Sequence, residues 1–251
     1  MKHNSPLVSV VIPVFNGELY LASALDSVVA QDYRPLEIII VDDGSTDATP
    51  SIVNSRSASS ELTWQYHYQP NQGPGAARNT GLQFVTGEWI AFLDADDVWM
   101  PQKTSCQLNV FAMIESAGIV WGESRRFWGS TPQDAIEQGA IEPARPLYLL
   151  QSMLFRRSVL DLVGLFDPTL RLGEDVDWLL RALEQEVLTV IHPDPVVYYR
   201  RHATNLTHDD NASRRALHLI LQRSLHRRRA NRDDGQQRPV SLRILPRTGD
   251  A

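Results

Sequence analysis

The stretch from Gly87 to Pro101, GEWIAFLDADDVWMP, constrains the chain most. Trp89 to Leu93 is an uninterrupted apolar run, the pattern of a strand buried on both faces. It runs directly into Asp94, Asp96 and Asp97. Three carboxylates at the end of a buried strand repel one another and lose solvation, which is costly unless positive charge sits among them. A hard divalent cation, Mg²⁺ or Mn²⁺, meets that need and keeps positions open for phosphate oxygens. A solvated acidic turn offers the same carboxylates but does not call for the apolar strand. In open α/β sheets ligands bind at the carboxyl ends of strands, where this turn falls. Pro101 suits the first turn of a following helix.

The segments on either side repeat the theme. Leu7 to Val14 and Leu36 to Val41 read as buried strands, and Thr63 to Tyr68 alternates as a third. Between them, Leu19 to Ala30 has a helical apolar face of Leu21, Leu25, Val28 and Val29. The second strand ends in Asp42-Asp43-Gly44-Ser45-Thr46-Asp47, a turn rich in helix-capping residues, and a helix through Ile52 follows. Gln72 to Ala76 is a glycine-rich turn into a helix from Ala77 to Phe84. Strands alternating with helices imply an α/β domain with a mainly parallel sheet and right-handed crossovers. DDGSTD and DADD then face the same edge of that sheet.

Downstream the pattern is looser. A helix to Ser116, a strand from Gly118 to Phe127 and a loop from Gly129 to Pro146 are expected. Ser158 can cap a helix ending near Gly164. Glu174, Asp175 and Asp177 open an amphipathic helix whose buried face is Trp178, Leu179, Ala182 and Leu183; acidic residues in a first turn are also ordinary dipole partners. Val187 to Ile191 and Val196 to Arg200 read as two strands, and Ala212 to Arg229 as a basic helix. Beyond Ala230 the composition predicts disorder. Trp121, Trp128 and Trp178 are core residues or sugar-stacking platforms.

Charge and cysteine content narrow the class. Between Arg214 and Arg247 ten arginines stand against two aspartates, while the remainder carries a net charge of −14. An acidic body with a basic tail argues against a nucleic-acid binder. A single cysteine, Cys106, excludes an internal disulfide and fits a reducing compartment. No apolar run reaches the length of a membrane span or resembles a signal peptide, so a cytoplasmic protein is expected.

Taken in order, VSVVIPVFNGELYLASALDSVVAQDY, EIIIVDDGSTDAT, NQGPGAARNTGL, GEWIAFLDADDVW, LFRRSVLDLVGLFDPTLRLGEDVDWLLRAL and YYRRHATN resemble the family 2 glycosyltransferases from about Leu7 to Asn205. The resemblance implies the GT-A fold: a Rossmann-like, mainly parallel sheet flanked by helices. It places that single domain at residues 5–210 and leaves a basic C-terminal helix and tail at 211–251. It implies inverting transfer from a nucleotide-diphosphate sugar, with UDP as the usual nucleotide and Mn²⁺ or Mg²⁺ as cofactor. Pro13, Val14 and Phe15 match backbone contacts to the nucleoside, Asp43 the acceptor of the uracil N–H, and Asp42 its neighbour. Arg78 matches a contact near the nucleotide. Asp94 matches the residue facing the ribose or a metal-bound water, Asp96 the direct metal ligand, and Asp97 an orienting carboxylate. Asp175 matches the general base, with Glu174 alongside. His202 matches a metal or diphosphate contact, with Arg200 or Arg201 nearby. The implied partners are a nucleotide-sugar donor and a saccharide or lipid-linked acceptor from surface polysaccharide or glycolipid assembly. The basic helix allows peripheral contact with the inner membrane face. A sugar-phosphate nucleotidyltransferase would need a glycine-rich loop where PVFNGE stands. A silent nucleotide-sugar binding module would be expected to lack one of Asp43, Asp96 and Asp175, and all three are present.

Overall fold

The structure, a computed structural model, describes residues 5–203, 205, 210–233 and 241–246. The strands are β1 (Val8–Val14), β2 (Leu36–Asp42), β3 (Thr63–Tyr68), β4 (Trp89–Phe92), β5 (Val98–Trp99), β6 (Ile119–Phe127), β7 (Met153–Arg156), β8 (Thr189–Arg200) and β9 (Leu242–Ile244). The helices are α1 (Leu21–Val29), α2 (Thr49–Ala58), α3 (Pro74–Leu82), α4 (Lys103–Met113), α5 (Pro132–Glu137), α6 (Val159–Val163), α7 (Glu174–Glu184) and α8 (Asp210–Asp233). All described strands join one sheet in the order β3-β2-β1-β4-β7-β6-β8-β5, with β9 beside β8.

The apolar runs become the sheet's centre because side chains of a strand alternate between faces, and both faces here are covered. Val8, Val10, Ile12 and Val14 of β1 join a cluster with α1, Val53 of α2 and Val110 and Phe111 of α4. Val11, Ile39, Val41, Ile90 and Phe92 point the other way, against Ala77 of α3, Val159 and Val163 of α6, and Trp178, Leu179 and Ala182 of α7. The result is a three-layer α/β/α domain. Strands β1 to β4 pair in parallel, so their carboxyl ends share one edge. Strand β7 then inserts antiparallel between β4 and β6, which restores the direction of β6 and β8 to that of β4. The tip of β8, just before His202, therefore reaches the same edge as Asp43 and Asp94.

Several expectations need correction. Pro101 lies in the turn before α4, and that helix starts at Lys103. The loop expected from Gly129 to Pro146 contains α5, capped by the Thr131 hydroxyl, which accepts from the Asp134 N–H. The two strands expected at 187–191 and 196–200 are one strand, β8, running through Pro193 and Pro195. It tolerates them through irregular register: Gly122 pairs with His192 and Glu123 with Pro195, so β8 carries two extra residues there. Chain beyond Ala230 is not wholly irregular, since α8 continues to Asp233 and Leu242–Ile244 extends the sheet; residues 234–240 and 247–251 lie outside the described set. Trp121 and Trp178 are core residues, while Trp128 is exposed.

Helix α8 docks on α7. Ile220 is buried over Gly173, where an added Cβ would lie 2.5 Å from its Cδ1. Arg227 pairs with Glu184 at 2.6 Å and with Asp177 at 3.1 Å. Ser224 donates to Glu184. Arg227 thus answers two acidic residues of α7, and the packing of Ile220 on Gly173 fixes the start of the helix that carries Asp175.

Candidate active site

The β1–α1 and β2–α2 loops are zipped together by DDGSTD. The Asn16 N–H donates to the Ser45 hydroxyl (2.8 Å), Gly17 N–H to the Thr49 hydroxyl (2.9 Å) and Glu18 N–H to Asp47 (2.9 Å). Asn16 returns an acceptor to the Thr46 N–H at 2.9 Å. These polar residues, expected to cap α2, instead bind the neighbouring loop, and α2 starts after Ala48 without a side-chain cap. Pro13 and Val14 are buried in β1, the Val14 carbonyl accepts the Asp43 N–H at 2.8 Å, and Phe15 projects outward with 53% of its surface exposed.

Both carboxylates after β2 are held by specific donors. Asp42 is fully buried and accepts from the Ser45 N–H (2.7 Å) and the Tyr66 hydroxyl (2.5 Å). Asp43 accepts from Gln69 Nε2 (2.7 Å) and Gln72 N–H (2.9 Å) on Oδ1, and from Gly73 N–H (2.8 Å) on Oδ2. A carboxylate offers about four lone-pair sites, so Oδ2 of Asp43 retains capacity for one further donor. Gly73 adopts φ +93°, a conformation glycine reaches without strain, and this turns its N–H to the carboxylate. Gln69 and Tyr66, which set these two side chains, carried no motif in the sequence.

Arg78 on α3 ties three segments together. Its Nη2 pairs with Asp94 Oδ1 at 2.7 Å and its Nη1 with Glu174 at the start of α7. The guanidinium is buried, stands 5.9 Å from the Phe166 ring, and its Nε has no partner among the described residues. Expected as a contact near the nucleotide, Arg78 thus has both terminal nitrogens committed to carboxylates. Burial pushes the Glu174 carboxyl above the usual carboxylate range, and the Arg78 charge pulls it back. Asp94 is also raised, by desolvation first, although about a third of its side chain stays open to solvent.

Asp96 and Asp97 part company. Oδ2 of Asp96 lies 2.9 Å from His202 Nε2 and 3.1 Å from Asn205 Nδ2. Asn205 also accepts the His202 N–H at 2.7 Å, which fixes the turn that carries the ring. Asp97 turns inward and is fully buried, accepting the Arg200 N–H at 2.8 Å and Gln151 Nε2. Burial, with Asp96 and Asp94 beside it, raises its carboxyl well above the usual range. Arg200 is equally structural. It donates to the carbonyls of Asp96 (2.7 Å), Gly129 (2.6 Å) and Ser130 (2.6 Å), and is sandwiched by Tyr20 and Phe127 at 4.5 and 4.6 Å. Its guanidinium, expected only to lie near His202, is committed inside the fold.

The acidic trio on α7 divides the same way. Glu174 pairs with Arg78, and buried Asp177 pairs with Arg181 (2.9 Å) and Arg227 (3.1 Å). Asp175 is part-exposed, accepts the Val176 N–H at 2.8 Å, and borders a shallow depression lined by Tyr148, Leu150, Met153, Val176 and Leu179. Tyr148, 63% exposed, stacks obliquely on Trp121 at 4.8 Å and was missed in the sequence because it sits in an irregular stretch.

This sheet edge, with its acidic turn, belongs to the GT-A class of glycosyltransferase folds. Residues 9–163 match the family described as Glycosyl transferase family 2, and the chain belongs to that family. It is 32% identical over 203 residues to an uncharacterised glycosyltransferase of Rickettsia typhi, covering 73% of this chain and 61% of that protein. A Rickettsia prowazekii relative is 30% identical over 227 residues, covering 82% of this chain and 68% of its own length. The chain therefore spans about two thirds of these relatives. Among solved structures, S. aureus TarS 1–349 in complex with UDP-GlcNAc superposes with a TM-score of 0.66 at 23% identity, covering 85% of this chain and 65% of that one. Mannosyltransferase PcManGT from Pyrobaculum calidifontis, in complex with GDP-Man and Mn²⁺, gives 0.63 at 20% identity, covering 94% and 67%.

Neutralising Arg78 should uncover the cost of the carboxylates it joins. Breaking a buried pair from one side typically costs about 3–5 kcal/mol, because the remaining charge is left uncompensated. Glu174 already has a raised folded pKa, so its contribution to stability is full below its unfolded value and falls as pH rises through the folded one. Removing Arg78 raises that folded value further. Urea unfolding of Arg78→Gln should thus show a larger loss relative to the parent at pH 7.5 than at pH 4.5. A loss independent of pH would contradict the pairing.

Proposed function

We propose that this protein transfers a sugar from a nucleotide-diphosphate donor to an acceptor hydroxyl with inversion, using Asp175 as general base. What carries the reading is the meeting, at one sheet edge, of Asp43, the Asp94–Asp96 turn and the Asp175 helix. Asp175 is the member of its acidic trio whose carboxylate faces an open depression rather than an arginine. A hydroxyl is a poor nucleophile, and a carboxylate within hydrogen-bond reach takes its proton as the new bond forms. One base on the face opposite the leaving diphosphate gives inversion in a single displacement. The spare lone pair on Asp43 suits the N3–H of uracil, which cytosine lacks, and favours a UDP-sugar. The UDP-GlcNAc held by TarS supports that donor class.

The donor set fits a divalent ion. Asp96 Oδ2 and His202 Nε2 already converge to 2.9 Å, and a mixed carboxylate and imidazole pair suits a transition ion such as Mn²⁺ better than Mg²⁺, which prefers oxygen ligands. Asp96 and His202 would hold it, Asp94 would stand beside it, and Asn205 would orient both ligands from behind. When bound, the ion supplies positive charge against the leaving diphosphate. The protein's own residues bind the base through Asp43, fix the turn through Arg78 and Arg200, and accept the acceptor's proton at Asp175. PcManGT with Mn²⁺ supports the metal.

The acceptor reading is a lipid-linked saccharide of surface polysaccharide or glycolipid assembly, reached at the membrane. No helix among the described residues is long and apolar enough to cross a bilayer. Helix α8 buries Ile220 and Ser224 but presents Leu217, Leu221 and Leu225 on a stripe flanking that face, each about half exposed, with Arg214, Arg215, Arg228 and Arg229 exposed around them. That is the pattern of a helix lying on anionic lipid, where each basic residue near the surface contributes roughly 1 kcal/mol.

Two measurements follow. Against a panel of nucleotide sugars, a UDP-sugar should be turned over, and Asp175→Asn should lower turnover about 10²–10⁴-fold with donor affinity nearly unchanged. Near-normal transfer by that variant would remove Asp175 as the base; joint loss of donor binding would make it a donor contact. Replacing Arg214, Arg215, Arg228 and Arg229 with Gln, which spares the buried face, should abolish low-salt co-sedimentation with anionic liposomes. Unchanged sedimentation, or none by the parent chain, would leave α8 with its packing role alone.

A further inference from the structure

Away from the sheet edge just described, Cys106 of α4 meets His192 and Asp194 of β8. Cys106 Sγ lies 3.3 Å from Asp194 Oδ2 and 3.9 Å from His192 Nδ1, and Asp194 Oδ2 lies 3.5 Å from that nitrogen. Three donor atoms of three types thus form a nearly equilateral triangle. A tetrahedral zinc ion with bonds of about 2.3 Å to sulfur and 2.0–2.1 Å to nitrogen and oxygen has ligand-to-ligand edges of about 3.3–3.6 Å. The observed triangle matches one face of that tetrahedron to within a few tenths of an ångström.

The surrounding chain is shaped to make this triangle. The two extra residues in β8, Pro193 and Asp194, form the bulge that follows His192, and bulges re-aim side chains at functional positions. The His192 ring is 1% exposed and seated over Gly122, where any Cβ would come within 2.9 Å of Nε2. Nε2 has no hydrogen-bond partner among the described residues, so the one productive direction for the ring is through Nδ1, toward Cys106 and Asp194. The neighbouring Lys103 ammonium is turned away, donating to Gln107 Oε1 (2.6 Å) and the Met153 carbonyl (3.1 Å). Cys106 is half-buried, and Asp194 has 61% of its side chain open, which leaves a path and a fourth position facing water.

We infer that Cys106, His192 and Asp194 form a second, thiophilic metal site of the zinc class. It is separate from the hard-cation position at Asp96 and independent of the proposed transfer chemistry. Thiolate, imidazole and carboxylate together select zinc over magnesium or manganese. An ion there would clamp α4 to β8, the strand whose tip leads to Arg200 and His202.

Cobalt(II) titration of the reduced, metal-free full chain tests this. The expected result is a thiolate-to-cobalt charge-transfer band with tetrahedral visible bands, saturating at one equivalent and bleached by Zn²⁺. Cys106→Ser should lose the charge-transfer band, exposed Asp194→Asn should weaken binding without harm to the fold, and Asp96→Asn should keep the band. A folded parent chain with no such band, a band that persists in Cys106→Ser, or unchanged affinity in Asp194→Asn would each overturn the assignment and leave a hydrogen-bonded triad.

Discussion

The buried guanidinium of Arg78 is the interaction on which the sheet edge depends. One nitrogen holds Asp94 at the end of β4, the other holds Glu174 at the start of α7, and these segments are eighty residues apart in sequence. Without a cation between them, two carboxylates in a desolvated space would repel or protonate. With it, the position of α7 is set relative to the acidic turn, and so is the direction in which Asp175 faces. Helix α8 reinforces the arrangement from behind, through Ile220 on Gly173 and Arg227 on Glu184 and Asp177.

A second set of contacts freezes the turn itself. Arg200 and Gln151 hold Asp97, Arg200 holds the Asp96 carbonyl, and Asn205 sets His202 against the Asp96 carboxylate. Six neighbouring acidic or basic groups thus divide into those committed to the fold and those left facing solvent. Asp97, Glu174, Asp177 and Arg200 are committed; Asp96 and Asp175 remain available. Preorganisation of this kind limits the rearrangement needed when charge develops in a site.

Much of this was legible in the sequence because buried parallel strands are written as plain apolar runs. VSVVIPV, LEIIIV and WIAF gave β1, β2 and β4, and the acidic turns that follow them fell on one edge as parallel pairing requires. What was hidden depends on contacts between distant segments. Strand β8 looked like two strands because Pro193 and Pro195 interrupt it, and only its bulged pairing with β6 reveals continuity. Strand β7 is four residues long, too short for a periodic signal. Spacing alone could not divide Glu174, Asp175 and Asp177, since all three fit a first helical turn; their arginine partners divide them. Tyr66, Gln69 and Tyr148 lie in stretches with no motif, and their roles emerge only from what they touch.

If Asp96 and His202 join a divalent ion to a nucleotide diphosphate at this edge, metal and nucleotide bind cooperatively. Calorimetric UDP binding with and without Mn²⁺ tests it most directly, in the parent chain and in Asp96→Asn. Mn²⁺ should strengthen UDP binding to the parent and leave the variant, still folded, with the weak metal-free affinity. Equal UDP affinity in EDTA and in Mn²⁺, or full Mn²⁺ enhancement in Asp96→Asn, would contradict it.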